Sequence, residues 1–292
     1  MARQNHALEA MTADELRKDI LKAIHDAGSG HPGGSLSIID TLHVLYTHTL
    51  NHKPKQPRWA GRDRVVLSAG HTCPALYAEL AHQGYYGKKQ LDTLRKFNSK
   101  LQGHPEAGLL PGIEATSGPL GQGYALAVGK AMAAKKQGKQ WKVYCISSDG
   151  EHDEGVVWEA AQIAAHQDLG NLVVIIDRND IQIDGHTRDI LDLRDLREKY
   201  EAFGWHVLDM DGHNHRLIND TLRYAATRTS DKPTCIIAHT ILGKGVSFME
   251  GNPVWHGKAP NEEELAQALK ELEKRQERRR LKHRLERREV LR

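Results

Sequence analysis

Cysteine is scarce: the chain has three in 292 residues, Cys73, Cys145 and Cys235. They show no paired spacing, which argues against a disulfide framework, a thiolate zinc site or a redox pair. Cys145 and Cys235 sit inside apolar, β-branched runs, where a thiol packs as a small hydrophobe. Aromatic residues are few, at 5%, and Phe occurs three times. No apolar run approaches the roughly 18 residues that a membrane span requires, and no basic-then-apolar leader opens the chain. The expectation is a soluble, cytoplasmic protein with no membrane partner. Neither sign of charge dominates, since 41 Lys and Arg stand against 38 Asp and Glu for a formal charge of +3. A balance of that size implies no nucleic-acid partner. Hydrophobic residues still make up 39%, enough for one sizeable α/β core.

The charge is unevenly spread. Residues 271–292 hold ten Lys or Arg against five Glu, a surplus larger than that of the whole chain. Such a segment could touch nucleic acid or an acidic partner, but no aromatic residue interleaves the charges. A solvated helical extension, continuing the face of Leu265, Leu269 and Leu272, or a frayed end is the simpler reading. Residues 1–260 are therefore taken as the folded domain and 261–292 as a charged, helical or frayed tail.

Within the body, Thr12-Ala13-Asp14-Glu15 has the form of a capping box, followed by Leu16, Ile20, Leu21 and Ile24 at helical spacing up to Gly28. A helix is expected over 36–50, a strand at 64–68, and helix again over 74–100. A loop rich in Gly and Pro then runs to 121, and an Ala-rich helix covers 123–136. Further strands are expected at 206–210 and 234–238, with helices near 191–203 and 214–228. The alternation predicts a doubly wound parallel sheet with helices on both faces.

The most informative spacing is the thirty residues between Asp149 and Asn179. Asp149 follows the run Val143–Ile146, and Asn179 follows the run Leu172–Ile176. Between the runs, residues 155–165 read as a helix. One right-handed βαβ unit would place both residues at the carboxyl edge of a parallel sheet, where α/β proteins bind ligands. A carboxylate and an amide oxygen are hard donors suited to Mg²⁺ or Ca²⁺. Mg²⁺ fills its octahedron with phosphate oxygens and water, so the pair predicts a metal-bound phosphorylated cofactor. Backbone N–H groups at Gly150 and Glu151, near a helix start, would help to hold the phosphates. Taken singly, Asp149 or Asn179 could equally be a helix cap or turn residue.

With this pair the chain resembles the thiamine diphosphate enzymes, and transketolases in particular. Six further segments, in that family's order, carry the resemblance: Ser29-Gly30-His31-Pro32-Gly33, Leu67-Ser68-Ala69-Gly70-His71, Gly103-His104-Pro105-Glu106, Thr116-Ser117-Gly118-Pro119-Leu120-Gly121-Gln122-Gly123, Ile183-Asp184-Gly185 and Val254-Trp255-His256-Gly257. One departure is Ser148, which stands where the family usually has the first glycine of Gly-Asp-Gly.

The resemblance implies thiamine diphosphate bound with Mg²⁺, Ca²⁺ or Mn²⁺ being possible substitutes, and it adds the carbonyl of Ile181 to Asp149 and Asn179 as metal ligands. His71 and His256 would contact the diphosphate and the donor end of the substrate. His31 and His104 would bind hydroxyls of the two-carbon fragment, imidazole being able to donate or accept near neutral pH. Gly118, Pro119, Leu120 and Gly121 would approach the cofactor by backbone, although a plain turn into the next helix is the bland alternative. Glu154 would be an interface relay beside the catalytic carboxylate. Lys244 could attract phosphate or be an ordinary surface lysine.

The implied reaction moves a two-carbon ketol unit from a ketose phosphate such as xylulose 5-phosphate to an aldose phosphate such as ribose 5-phosphate. Transketolases also need a pyrimidine-binding domain with its glutamate. This chain then looks like the amino-terminal subunit of a split transketolase, inactive alone and active with a C-terminal partner subunit in an assembly such as α2β2. Competing readings are a transketolase for an unusual sugar, the α subunit of a 2-oxoacid dehydrogenase, or a non-catalytic cofactor-binding subunit. The histidine set argues against the dehydrogenase, which has no polyol to grip.

Overall fold

The structure, a computed structural model, describes residues 2–290, with side chains described over 6–285. Short β-branched runs without polar alternation become strands buried on both faces, and the Ala- and Leu-rich segments between them become helices. In chain order these are α1 (Ala2–Ala27), α2 (Pro32–Val44), β1 (Arg64–Leu67), α3 (Cys73–His82), α4 (Gln122–Lys136), β2 (Val143–Ser148), α5 (Gly155–His166) and β3 (Leu172–Arg178). A two-stranded hairpin follows, β4 (Ile181–Gln182) and β5 (Gly185–His186). The chain continues with α6 (Thr187–Ile190), α7 (Leu196–Ala202), β6 (His206–Asp211), α8 (His215–Thr227), β7 (Thr234–His239) and α9 (Glu262–Val290).

The main sheet has the order β1-β2-β3-β7-β6, and every pairing in it is parallel. Side chains alternate between two cores, as the pleat requires. Val65, Leu67, Tyr144, Ile146, Val173, Ile175 and Ile236 join residues of α1, α2, α3 and α8. Val66, Cys145, Val174, Ile176, Cys235 and Ile237 join residues of α4, α5 and α7. The expected doubly wound parallel sheet with helices on both faces is the fold found. All three cysteines are buried and unpaired. No helix among the described residues is long and apolar enough to cross a membrane.

Local expectations fail at four places. Thr12 caps nothing: α1 already runs through it, and its hydroxyl donates to Leu8 O at 3.1 Å. The preceding residues include the good helix formers Ala, Leu, Glu and Met, so the helix propagates back past the capping pattern. Helix α2 starts at Pro32 rather than 36, with proline in the first turn, where its missing N–H costs nothing, and it gives way to a π turn over Leu45–Thr49. Helix does not persist over 74–100. It ends at His82, and Gly84, Arg95 and Asn98 all take positive φ around a 3-10 turn at Lys88–Thr93. The expected helix near 191–203 is the single turn α6 and the short α7, separated by residues 191–195.

The basic tail is helical, and it is not frayed where it begins. Ala268 and Leu272 are buried in the core, and Gln276 Nε2 donates to Met11 O at 2.8 Å. Arg275 Nε and Arg279 Nε each lie 3.0 Å from an oxygen of the buried Asp14. The buried carboxylate of Asp14 in α1 thus accounts for two of the positive charges that looked surplus in the sequence. The end of the tail, 291–292, lies outside the described residues.

Candidate functional site

Parallel register decides where the metal-ligand candidates fall. Ser148 pairs with Asp177, so Asp149 and Asn179 leave neighbouring strand ends at the carboxyl edge of the sheet. Asp149 N–H donates to Asp177 O at 3.2 Å. Asp149 Oδ1 accepts from Gly150 N–H at 2.8 Å, and Oδ2 accepts from Asp180 N–H at 2.6 Å. Asn179 Oδ1 accepts from Ile181 N–H at 3.1 Å. The carboxylate of Asp149 is therefore held by the residue directly after Asn179. Asp180 reaches that position with a φ of +61°, which a short polar side chain tolerates. Ser148 is an ordinary strand residue at the end of β2, so a side chain replaces the family's glycine there without backbone strain.

Asp149 is 1% exposed, and its pKa is pushed up to about 8, first by burial and then by the charge of Asp177. A divalent cation would relieve both effects. Each oxygen of Asp149, and Asn179 Oδ1, takes one N–H donor and keeps a lone pair free. No group of three or more His, Cys, Asp or Glu side chains placed to hold a metal occurs among the described residues. A site here would use one carboxylate, one amide oxygen and the Ile181 carbonyl, with water and phosphate completing the shell, as Mg²⁺ accepts. The adjoining cleft has a volume of about 450 Å³ and is lined by Asp149, Asn179, Ile181, Thr240, Ile241 and Leu242, among others. These residues fit a metal-bound diphosphate.

The histidines form a second group. His31 lies at the start of α2, His71 in a 3-10 turn after β1, His104 in the loop before α4, and His256 after the turn Pro253–Trp255. Ring centroids are 5.2 Å apart for His31–His71, 5.5 Å for His31–His256, 5.2 Å for His71–His256 and 6.5 Å for His31–His104. Burial lowers the pKa of all four, and the positive charge of Arg95 adds to this for His31 and His104. His31 falls to about 4. Neutral imidazole keeps one donor and one acceptor nitrogen for hydroxyl groups. Nδ1 of His31 and Nδ1 of His256 are buried without a protein partner, as side chains made for a ligand can be.

The two groups share a wall. Gly243 N–H donates to Gly33 O at 3.0 Å, and a Cβ on Gly33 would lie 2.7 Å from Leu242 Cγ, a residue of the metal-side cleft. Gly118 lies on the histidine side, where a Cβ would meet His104 Cγ at 3.5 Å. Pro119 is exposed, Leu120 half-buried, and Gly121 holds a φ of +81° at the start of α4. Glu154 is exposed at the start of α5 and makes no capping hydrogen bond.

Two expectations need correction. Gly150 N–H is already engaged by Asp149 Oδ1, and the helix start beside it is only a four-residue 3-10 turn, with α5 beginning at Gly155. Glu151 turns its side chain inward and is fully buried, which leaves the expectation for its backbone N–H as it was. Lys244 is neither free for phosphate nor loose, since its Nζ lies 3.3 Å from Glu250 Oε1.

Asp177 is a site residue that the sequence reading missed. Its buried carboxylate accepts from Ser37 Oγ at 2.5 Å, Thr240 Oγ1 at 2.5 Å and Asn179 Nδ2 at 2.9 Å. An Asp directly after the apolar run Leu172–Ile176, inside the same strand, was the available signal. Arg95 was missed too: it stands over the histidine group, donating to Ser29 Oγ at 3.1 Å and Gly103 O at 3.3 Å.

Fold and site together define a parallel α/β domain that gathers its candidate ligand-binding side chains at the carboxyl edge of the sheet. The family described as transketolase, thiamine diphosphate binding domain, matches residues 8–279, and the chain belongs to that family. It is 44% identical over 262 residues to the 6-deoxy-6-sulfo-D-fructose transketolase subunit SqwG of Clostridium sp. (strain MSTE9), covering 90% of this chain and 95% of that one. It is 40% identical to a transketolase subunit of Phocaeicola vulgatus named for apulose 4-phosphate, covering 91% of this chain and 94% of that one. The crystal structure of transketolase from Campylobacter jejuni superposes with a TM-score of 0.85 at 38% identity, over 91% of this chain but 42% of that one. The chain thus spans about two fifths of the full-length transketolases it matches.

Proposed function

We propose that this chain is the diphosphate- and metal-binding half of a thiamine diphosphate-dependent ketol transferase, and that a partner subunit completes it. The carrying observation is the placement of Asp149 and Asn179 on adjacent parallel strand ends, with a buried carboxylate that no cationic side chain neutralises among its hydrogen-bond partners. Bound thiamine diphosphate would supply the nucleophilic carbon and the electron sink for breaking a carbon–carbon bond beside a ketone. Asp149, Asn179 and the Ile181 carbonyl hold Mg²⁺, or Ca²⁺ or Mn²⁺ in its place, and so fix the diphosphate. His71 and His256 face the diphosphate and the donor end of the substrate. His31 and His104, kept neutral by burial, orient the hydroxyls of the ketol fragment and can move a proton there. The 118–121 segment faces the aminopyrimidine through its backbone.

The partner is a subunit carrying the pyrimidine-binding domain, and Glu154, exposed at the start of α5, belongs to the contact with it. An α2β2 assembly in the cytoplasm is the expected form. Sugar phosphates are the expected substrate class, with xylulose 5-phosphate and ribose 5-phosphate the first pair to test. The two subunit-sized relatives support a second reading, in which the donor is a less common ketose. One of them is named for 6-deoxy-6-sulfo-D-fructose and the other for apulose 4-phosphate.

The test is reconstitution. The chain, mixed with the product of a neighbouring reading frame that carries a pyrimidine domain, should transfer a ketol unit from xylulose 5-phosphate, apulose 4-phosphate or 6-deoxy-6-sulfofructose. Turnover of pyruvate instead would support the 2-oxoacid dehydrogenase reading, and persistent inactivity with the true partner would support a non-catalytic role. Asp149→Ala should abolish Mg²⁺-dependent thiamine diphosphate binding by titration calorimetry; unchanged affinity refutes the metal assignment.

A further inference from the structure

Glu151 is fully buried beside the candidate metal site, yet its hydrogen-bond partners are all neutral donors, the backbone of Ser148 among them. Oε1 accepts from Ser68 Oγ at 2.6 Å and from Gly121 N–H at 2.7 Å, and Oε2 accepts from Ser147 Oγ at 2.6 Å. These donors come from three separate pieces of chain. Ser68 directly follows β1, Ser147 lies in β2, and Gly121 is the residue that opens α4.

The segment leading into α4 is tied down at both ends. Ser117 Oγ donates to Leu67 O at 2.5 Å, and Gly121 N–H donates to Glu151. Gly118, against the His104 ring, and Pro119 and Leu120 lie between those ties. A helix N-terminus is an anion site because its first N–H groups and its dipole favour negative charge. At α4 that place is taken by a carboxylate of the protein itself.

We propose that Glu151 is a positioning residue of the cofactor site: its side chain fixes the 118–121 segment and fills the N-terminus of α4, so that a diphosphate is directed to the Asp149–Asn179 side. The proposal rests on the cofactor reading given above, and it assigns Glu151 a role through its carboxylate rather than its backbone N–H.

The test compares wild type with Glu151→Ala and Glu151→Gln in three measurements. These are amide exchange over residues 118–123 in the chain alone, thiamine diphosphate affinity of the reconstituted enzyme in Mg²⁺, and the global unfolding midpoint. Glu151→Ala should speed exchange of the Gly121 amide at least about tenfold and weaken thiamine diphosphate binding by a similar factor. Glu151→Gln should restore both to within about threefold, because its oxygen still accepts from Ser68 and Gly121 while Ser147 turns to accept from the new amide. A purely structural role would instead lower the unfolding midpoint without that rescue.

Unchanged Gly121 protection in Glu151→Ala overturns the proposal, as does a loosened segment with wild-type affinity. Should Glu151→Ala fail to fold, Ser68→Ala/Ser147→Ala removes both hydroxyl donors to the carboxylate, and wild-type exchange and affinity there overturn the proposal equally. Wild type that binds no thiamine diphosphate refutes the cofactor reading and this one with it. Wild-type binding together with an unaffected Glu151→Ala refutes this one alone.

Discussion

Asn179 Nδ2 donates to Asp177 Oδ2 at 2.9 Å, two residues back along the same strand end. The bond fixes which way the amide of Asn179 points, so Asp177 decides that the oxygen, not the NH2 group, is the end that takes the Ile181 N–H. Ser37 and Thr240 hold Asp177 in turn, bringing α2 and the segment after β7 into the same arrangement.

Asp177→Ala should therefore weaken Mg²⁺-dependent thiamine diphosphate binding by about 10–100-fold although both assigned side-chain ligands remain. Calorimetric titration of the reconstituted enzyme measures this. Wild-type affinity would show that the amide needs no such orientation.

Gly121 combines a φ of +81° with a Cβ position that would run into Val156 Cγ1. Gly121→Ala should destabilise the chain by about 2–4 kcal/mol, part from the left-handed backbone and part from overpacking against Val156. Adding Val156→Ala should recover the packing part only, which denaturant midpoints can resolve. Full recovery, or none, contradicts this division.

His152 lies buried behind the metal candidates. Its ring is 2.7 Å from Ser148 O through Nδ1 and 2.8 Å from Tyr200 OH through Nε2. Burial pushes its pKa down from 6.5 to about 4. Below pH 6.5 the unfolded chain therefore binds a proton that the folded chain refuses. The stability contribution is intact above about 6.5 and is lost as pH falls towards 4, on the order of 3 kcal/mol when complete. His31, also lowered to about 4 but partly exposed, acts in the same direction more weakly. Urea midpoints at pH 7, 5.5 and 4.5 should fall more steeply for wild type than for His152→Gln, and parallel curves count against the assignment.

Arg17 is fully buried between Asp14 and Asp40, at 3.3 Å and 2.6 Å, and Arg275 and Arg279 of α9 close on Asp14 from the other side. Removing α9 by truncation after Pro260 should lower stability by about 3 kcal/mol or more, because Asp14 loses two cations and the core loses Ala268 and Leu272. Thermal unfolding tests it; a truncated chain that melts with the full one would make α9 an appendage.

The main elements were legible where residue type and period agreed. The runs Val143–Ile146 and Leu172–Ile176 can only be strands buried on both faces, and their spacing carried the pairing of Asp149 with Asn179. Local patterns misled where a neighbouring segment outweighed them. Thr12-Ala13-Asp14-Glu15 has the letters of a helix start, but Asp14 serves as a buried ion-pair partner for α9 rather than as part of a cap. Residues 74–100 read as one helix, yet the helix stops at His82, where Gly84 takes a φ of +83° and its N–H donates to Ala81 O at 3.0 Å; further reversals at Arg95 and Asn98 keep it from restarting.

Residue order alone determined the strand–helix alternation, the hard-oxygen pair at the strand ends and the histidine-bearing loops, because these depend on residue type and period. Tertiary structure decided which polar groups find partners within the protein and which are left open. It turned the Glu151 carboxylate inward, made Asp177 the holder of Asn179, engaged Lys244 with Glu250 and drew the basic helix onto Asp14. Those outcomes depend on partners as much as 265 residues apart in the chain, the distance from Asp14 to Arg279. No local pattern encodes such a contact, and only the packing of the layers supplies it.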